Sequence, residues 1–184
     1  MSASSTPFGL RPDYSPSGVV RPTAYSVLTG YAANLFQNQP VKIGTNGTLE
    51  AAAVGNRFIG TFQGVEFTDT DGRRRVSNKW TASTAATDIV AYATLDPSIV
   101  YEIQADATLA VTDIGSQYDF TTITAGNTTT GLSAMMLGVS TTAANASMRV
   151  IGLTPGPDNA WGDAFPIVQV QISEHQNVAD VAGY

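Results

Sequence analysis

The chain has 184 residues, a net charge of −6 and only 13% charged residues, about half the usual share. Cysteine is absent, which excludes disulfides, thiolate zinc sites and cysteine nucleophiles, and no apolar run approaches the roughly 18 residues of a membrane-spanning helix. Apolar residues make up 43%, enough for one packed domain, or one domain with an arm.

Residues 1–36 differ in texture from the rest. The opening Met1–Gly18 has no apolar core of the signal-peptide kind. Pro7, Pro12, Pro16 and Pro22 fix φ and bias their predecessors toward extended backbone, which disfavours a helix. Yet Phe8, Leu10, Tyr14, Val19, Val20, Tyr25, Leu28, Tyr31, Leu35 and Phe36 recur along it, which a polar linker would not carry. The expectation is an extended N-terminal arm over residues 1–36 that buries these groups against another surface, followed by a single β domain over 37–184.

From Pro40 onward, short runs rich in Val, Ile, Phe, Tyr and Thr alternate with turn formers. Strands are expected over Gln39–Ile43, Leu49–Val54 and Phe58–Thr68. Gly60 and Gly64 inside the third suggest bulges or close backbone approach. Thr70, Asp71 and Gly72 read as a hairpin turn returning through Arg74–Trp80. Asp88–Leu95 follows, then an Asp96-Pro97 turn, then Ser98–Gln104. In that last strand Ile99, Tyr101, Ile103 and Ala105 share one face, with Val100, Glu102, Gln104 and Asp106 on a wet one. Later strands are expected over Gln117–Ile123, Leu132–Val139, Met148–Thr154 and Ile167–Ser173. The only weak helix candidates are Ala105–Val111 and Ala143–Met148. The fold class is therefore all-β: an antiparallel β-sandwich, jelly-roll or barrel-like domain with little helix.

Chemistry is sparsely encoded. The single histidine, His175, sits beside Glu174 without a nucleophile elbow, which reads as ordinary exposed surface. One histidine and no cysteine exclude the usual zinc sets. Asp69 and Asp71 resemble the start of a calcium loop, but Arg73, Arg74 and Arg75 follow where oxygen ligands would be needed. No phosphate-binding glycine loop is present. Asn46, Asn127 and Asn145 open glycosylation sequons, which chance explains in so Thr- and Ser-rich a chain. No catalytic residue, cofactor site or metal site is expected.

Charge is uneven. Residues 1–80 hold eight Lys/Arg against five Asp/Glu, a net of +3. Residues 81–184 hold Arg149 alone against ten, a net of −9. Nucleic-acid binding needs a basic face, and the only basic cluster is Arg73–Arg75, so neither nucleic acid nor membrane is an expected partner.

Three blocks carry a resemblance. They are Thr6–Pro12 with Tyr14–Gly18; Phe58–Asp69; and Asp88–Tyr92 running on to Asp96–Asp106. Over about the first 110 residues the chain resembles capsid decoration, or cement, proteins of tailed bacteriophages. The resemblance implies a β-rich protein on the outer surface of the phage head, made in the bacterial cytoplasm. Such a protein binds the major capsid protein, clamps neighbouring subunits against internal DNA pressure, and is itself a dimer or trimer. Residue type and position then single out Phe8, Leu10, Arg11, Tyr14, Arg21 and Tyr25 as capsid contacts, with Arg73, Arg74 and Arg75 as a second contact. A competing expectation is a tail or head-fibre module binding host glycans through Trp80 or Trp161. A third is a carboxylate-pair glycosidase using residues such as Glu66 and Glu102.

Overall fold

β-Branched and aromatic side chains suit a pleated, half-buried surface, and the runs that hold them become strands. The computed structural model describes residues 2–121, 126–141 and 146–178. Its strands are β1 (Arg11–Tyr14), β2 (Pro22–Tyr25), β3 (Pro40–Ile43), β4 (Leu49–Ala51), β5 (Gly60–Asp69), β6 (Arg74–Ser77) and β7 (Ala86–Thr94). They continue with β8 (Val100–Gln104), β9 (Gln117–Tyr118), β10 (Phe120–Thr121), β11 (Met136–Leu137), β12 (Met148–Leu153) and β13 (Ile167–Ile172). Helix among the described residues is limited to single 3₁₀ turns at Val111–Asp113 and Val139–Thr141. The all-β, antiparallel character expected from the sequence is what the structure shows.

Sheet one has the order β1-β8-β13-β12-β9. Sheet two has the order β2-β7-β5-β3-β4, with β6 added to β5. β10 and β11 form a separate two-stranded sheet. Ala105, expected to open a helix, instead bridges to Leu137. In the other helix candidate, residues 143–145 lie outside the described residues and Met148 opens β12. The expected strand Gln117–Ile123 changes partner at Asp119: β9 pairs with β12 and β10 with β11. Residues 122 and 123 lie outside the described residues.

The buried apolar groups fall into two clusters. The first joins Leu10, Tyr101, Ile103, Val150 and Val170 with Phe58 and Phe120, whose rings meet edge to face at 5.7 Å. The second gathers Val41, Ile59, Phe62, Ala91, Ala93 and Trp80. Phe58 and Ile59 are consecutive and feed opposite clusters, so this short stretch is a partition between them.

The partition is hydrogen-bonded to the chain beyond β13. Phe58 N–H donates to Glu174 O (3.3 Å), Gln176 N–H donates to Phe58 O (3.1 Å), and the Gln176 amide bonds both main-chain groups of Ile43. His175, expected at the surface, is buried here. Its Nε2 lies 2.8 Å from Ile59 O, and its Nδ1 accepts from Asn177 N–H. These two bonds define the neutral Nε2–H tautomer, and burial lowers its pKa.

The expected wet face of β8 is also covered. All five residues of β8 are buried, including Glu102 and Gln104. Polar groups tolerate this only when hydrogen-bonded. The Gln104 amide accepts from Thr6 N–H and donates to Ser4 O and Phe165 O, while Arg11 pairs with Glu102. The covering element is the chain's own N-terminal segment.

The glycines within β5 behave as their sequence placement suggested. A Cβ at Gly60 would lie 2.2 Å from Thr94 O, and one at Gly64 3.1 Å from Ser77 O, beside a register shift between Phe62 and Gly64. Gly60→Ala is therefore expected to destabilise the chain by about 3 kcal/mol, against about 1 kcal/mol for Gly47→Ala, where the added carbon meets open space and only the positive φ is strained. Denaturant midpoints of the two variants check this ordering.

Candidate binding surface

Residues 2–36 do not form a separate arm. β1 pairs antiparallel with β8 (Arg11↔Glu102, Tyr14↔Val100), and β2 pairs antiparallel with β7 (Pro22↔Thr94, Tyr25↔Ala91). β7 lies in sheet two and β8 in sheet one, so residues 86–104 cross between the sheets. Residues 11–25 make the same crossing in the opposite sense, alongside. The N-terminal segment is thus one edge of a bent ribbon that spans both sheets. The physical reason is local: Leu10 and Val27, flanking the two strands, are buried in the first and second clusters respectively.

The bend is held by a carboxylate. Asp96 accepts from Ser98 N–H (2.9 Å), the Ser98 hydroxyl (2.5 Å), the Ser15 hydroxyl (2.9 Å) and the Ser17 hydroxyl (3.2 Å). The Ser98 bonds, then those from Ser15 and Ser17, hold its pKa down to about 2. On the inner side of the bend, Tyr101 Oη and Thr94 Oγ1 are 2.9 Å apart, and Thr94 Oγ1 accepts from Thr61 N–H at 2.8 Å. A serine-lined carboxylate outside and a Tyr–Thr–Thr chain inside fasten the same corner.

The expected contact residues divide accordingly. Leu10 is fully buried in the chain's own core and presents no surface. Arg11 is engaged within the chain: its Nε donates to Glu102 Oε2 at 3.1 Å, its Nη2 donates to the same oxygen, and its guanidinium lies 4.6 Å from the Phe8 ring centroid. Phe8 is half-buried under it. Tyr25 is half-buried against the second cluster, and burial raises the pKa of its phenol. Tyr14 and Arg21 are exposed, with Val19 between them 62% exposed. This solvent-facing trio on the ribbon is the candidate surface.

The three arginines sit on the β5–β6 hairpin, where Asp69 N–H donates to Arg73 O and Gly72 takes the positive φ of the turn. They are not a bare basic patch. Arg73 faces Asp71, Arg74 faces Glu66, and Arg75 faces both Asp69 and Asp71. The hairpin is therefore charge-balanced. Glu66 also accepts from the Tyr92 hydroxyl at 2.7 Å, and that bond, with Arg74, lowers its pKa.

The competing site residues are not assembled. Glu66 and Glu102 lie in different sheets, each held by its own arginine. Trp80 is fully buried, edge to face with Phe67 at 5.5 Å, so it offers no sugar platform, and Trp161 packs partly buried against the first cluster. Among the described residues no group of three or more His, Asp or Glu side chains is placed to hold a metal ion, and no helix is long and apolar enough to cross a membrane. No protein family, curated protein or solved structure matches the chain.

Two features escaped the sequence reading. β1 and β2 lack apolar alternation, although proline within a strand-like run is a signal for an edge strand. Asp96 read only as a turn former. Asp96→Ala is expected to lower stability near neutral pH by about 1–2 kcal/mol. The folded-state pKa lies below the ordinary 3.8, so the difference from wild type is full above that value and disappears as pH falls toward 2. Unfolding free energies of both chains across that pH range check the sign.

Proposed function

We propose that the chain is a structural protein of a tailed-bacteriophage head. It binds the outer surface of the major capsid protein shell and cements neighbouring subunits, without catalysis, as a homo-oligomer on the virion. The observation that supports this most is the state of the segment carrying part of the resemblance. Thr6–Gly18 is already laid along the corner of both sheets, and Tyr14, Val19 and Arg21 turn to solvent on the ribbon it begins.

An arm that orders only on contact loses about 1 kcal/mol per residue of backbone entropy, an amount comparable to what its apolar groups gain on burial. A ribbon fixed beforehand to its own sheets avoids that loss at the capsid seam. Because Leu10, Val27, Leu35 and Phe36 are taken up by the chain's own interior, the contact is a rigid face rather than a gripping tail. The balanced β5–β6 hairpin adds no long-range attraction, so the contact depends on shape and on Arg21, which can meet a carboxylate by a forked bond.

Co-sedimentation with expanded capsids lacking this protein tests the reading. Wild type is expected to bind saturably, at a fixed ratio to the major capsid protein. The Tyr14→Ala, Val19→Asp double variant is expected to lose roughly tenfold or more in affinity with an unchanged unfolding midpoint. Absence of wild-type binding to a cognate shell overturns the function. Undiminished binding by the variant removes the ribbon face from it.

A further inference from the structure

Sheet edges expose unpaired main-chain groups and invite an added strand unless they are blocked. Here nearly every edge is blocked. β1 and β2 carry Pro12 and Pro22, whose missing N–H groups interrupt any ladder built on them. β4 is covered, since Leu49 N–H donates to Ser26 O and Ala51 N–H to the Tyr31 hydroxyl. β9, β10 and β11 are two residues long. The exception is β6, which pairs with β5 on one side and, among the described residues, with no strand on the other.

The open side of β6 has a defined pattern. Asp69 N–H donates to Arg73 O, so in the antiparallel ladder Arg73, Arg75 and Ser77 turn their main-chain groups toward β5. Arg74 and Val76 turn theirs outward. Val76 is 82% exposed, more than any other large apolar side chain among the described residues. Beside it runs a groove of about 450 Å³ lined by Gly64, Glu66, Asn78 and Tyr92. The hairpin's three arginines are matched by Asp69, Asp71 and Glu66, so a like hairpin is not repelled.

We propose that β6 pairs antiparallel with β6 of a second copy of this chain, across a two-fold axis at Val76. In that register Val76 faces its own equivalent and shields it from water. Arg75 falls opposite Ser77 of the second copy, so no arginine stands directly across from another, an arrangement that would destabilise the pair. The contact is isologous and closes on itself, extending sheet two through both copies. Its short ladder buries well under the roughly 1,200 Å² of the smallest specific interfaces, so association is weak in free solution and becomes strong only where copies are held close together. The pairing rests on the fold alone and stands apart from the capsid reading.

The absence of cysteine gives a direct test. Facing residues of a hydrogen-bonded pair have Cα atoms about 5.5 Å apart, within disulfide range. Val76→Cys, at about 0.5 mM under mild oxidant, is expected to form a disulfide-linked dimer at least roughly tenfold faster than Val19→Cys, an exposed control on the ribbon. In sedimentation equilibrium the wild-type chain should show a concentration-dependent dimer, which Val76→Lys abolishes without moving the unfolding midpoint. Equal cross-linking rates, or a wild-type monomer at every concentration, overturn the pairing. A monomeric wild type whose capsid binding is lost on Val76→Lys also overturns it, and assigns the edge to a strand of another protein.

Discussion

Two stretches of chain cross from one sheet to the other side by side, and the rest of the molecule depends on how that double crossing is fastened. Residues 86–104 make the crossing once, and residues 11–25 pair back along them. A bend in a two-stranded ribbon interrupts the ladder and leaves main-chain and side-chain groups to be satisfied some other way. Asp96 does this on the outside with Ser15, Ser17 and Ser98, and Tyr101 with Thr94 and Thr61 on the inside. Gly60 belongs to the same corner, because only a residue without a side chain lets β5 come against the Thr94 carbonyl. The corner is polar, yet its groups are paired, which is what allows it to lie between two apolar clusters.

A second fastening lies in the run from Glu174 to Gln176. It bonds the partition at Phe58 and Ile59 and the end of β3 at Ile43, so the segment following β13 of sheet one is tied into sheet two. The buried neutral His175 is part of this tie rather than a reactive group. Its imidazole serves as one donor and one acceptor of fixed direction, and burial disfavours its charged form. With two polar fastenings, the two clusters are expected to unfold as one unit.

Part of the fold was legible through one physical signal, the period of two, which is clearest in β13. The alternation of Val168, Val170 and Ile172 with Gln169, Gln171 and Ser173 appears as a strict buried and half-buried alternation in β13. Turn chemistry was legible too: Asp71-Gly72 forms the hairpin, and the glycines in β5 mark a close approach and a register shift. The polar side of β8 was misleading. Glu102 and Gln104 look like solvent-facing residues in a linear reading, but they are the hydrogen-bond partners of Arg11, Ser4 and Thr6, from about 90 to 100 residues away in sequence. Periodicity reports only that one face is polar; whether that face is wet depends on what arrives later to cover it. The arginine triplet misled for the same reason, since its neutralising partners emerge only when β5 and β6 pair.

Functionally, this arrangement replaces a flexible arm with a rigid outer face. For the proposed cementing role the distinction matters, because a preformed face binds without an ordering cost and its affinity is set by a few exposed groups. Native-state hydrogen exchange of the free chain tests this most directly. The hydrogen-bonded amides of β1 and β2 are expected to exchange only through the global opening that releases β8 and β7, with the same free energy and the same denaturant dependence. Rapid exchange of residues 11–25 in the free chain while β7 and β8 stay protected, with protection gained only on capsids, would contradict a preformed ribbon and restore an arm that folds on its target.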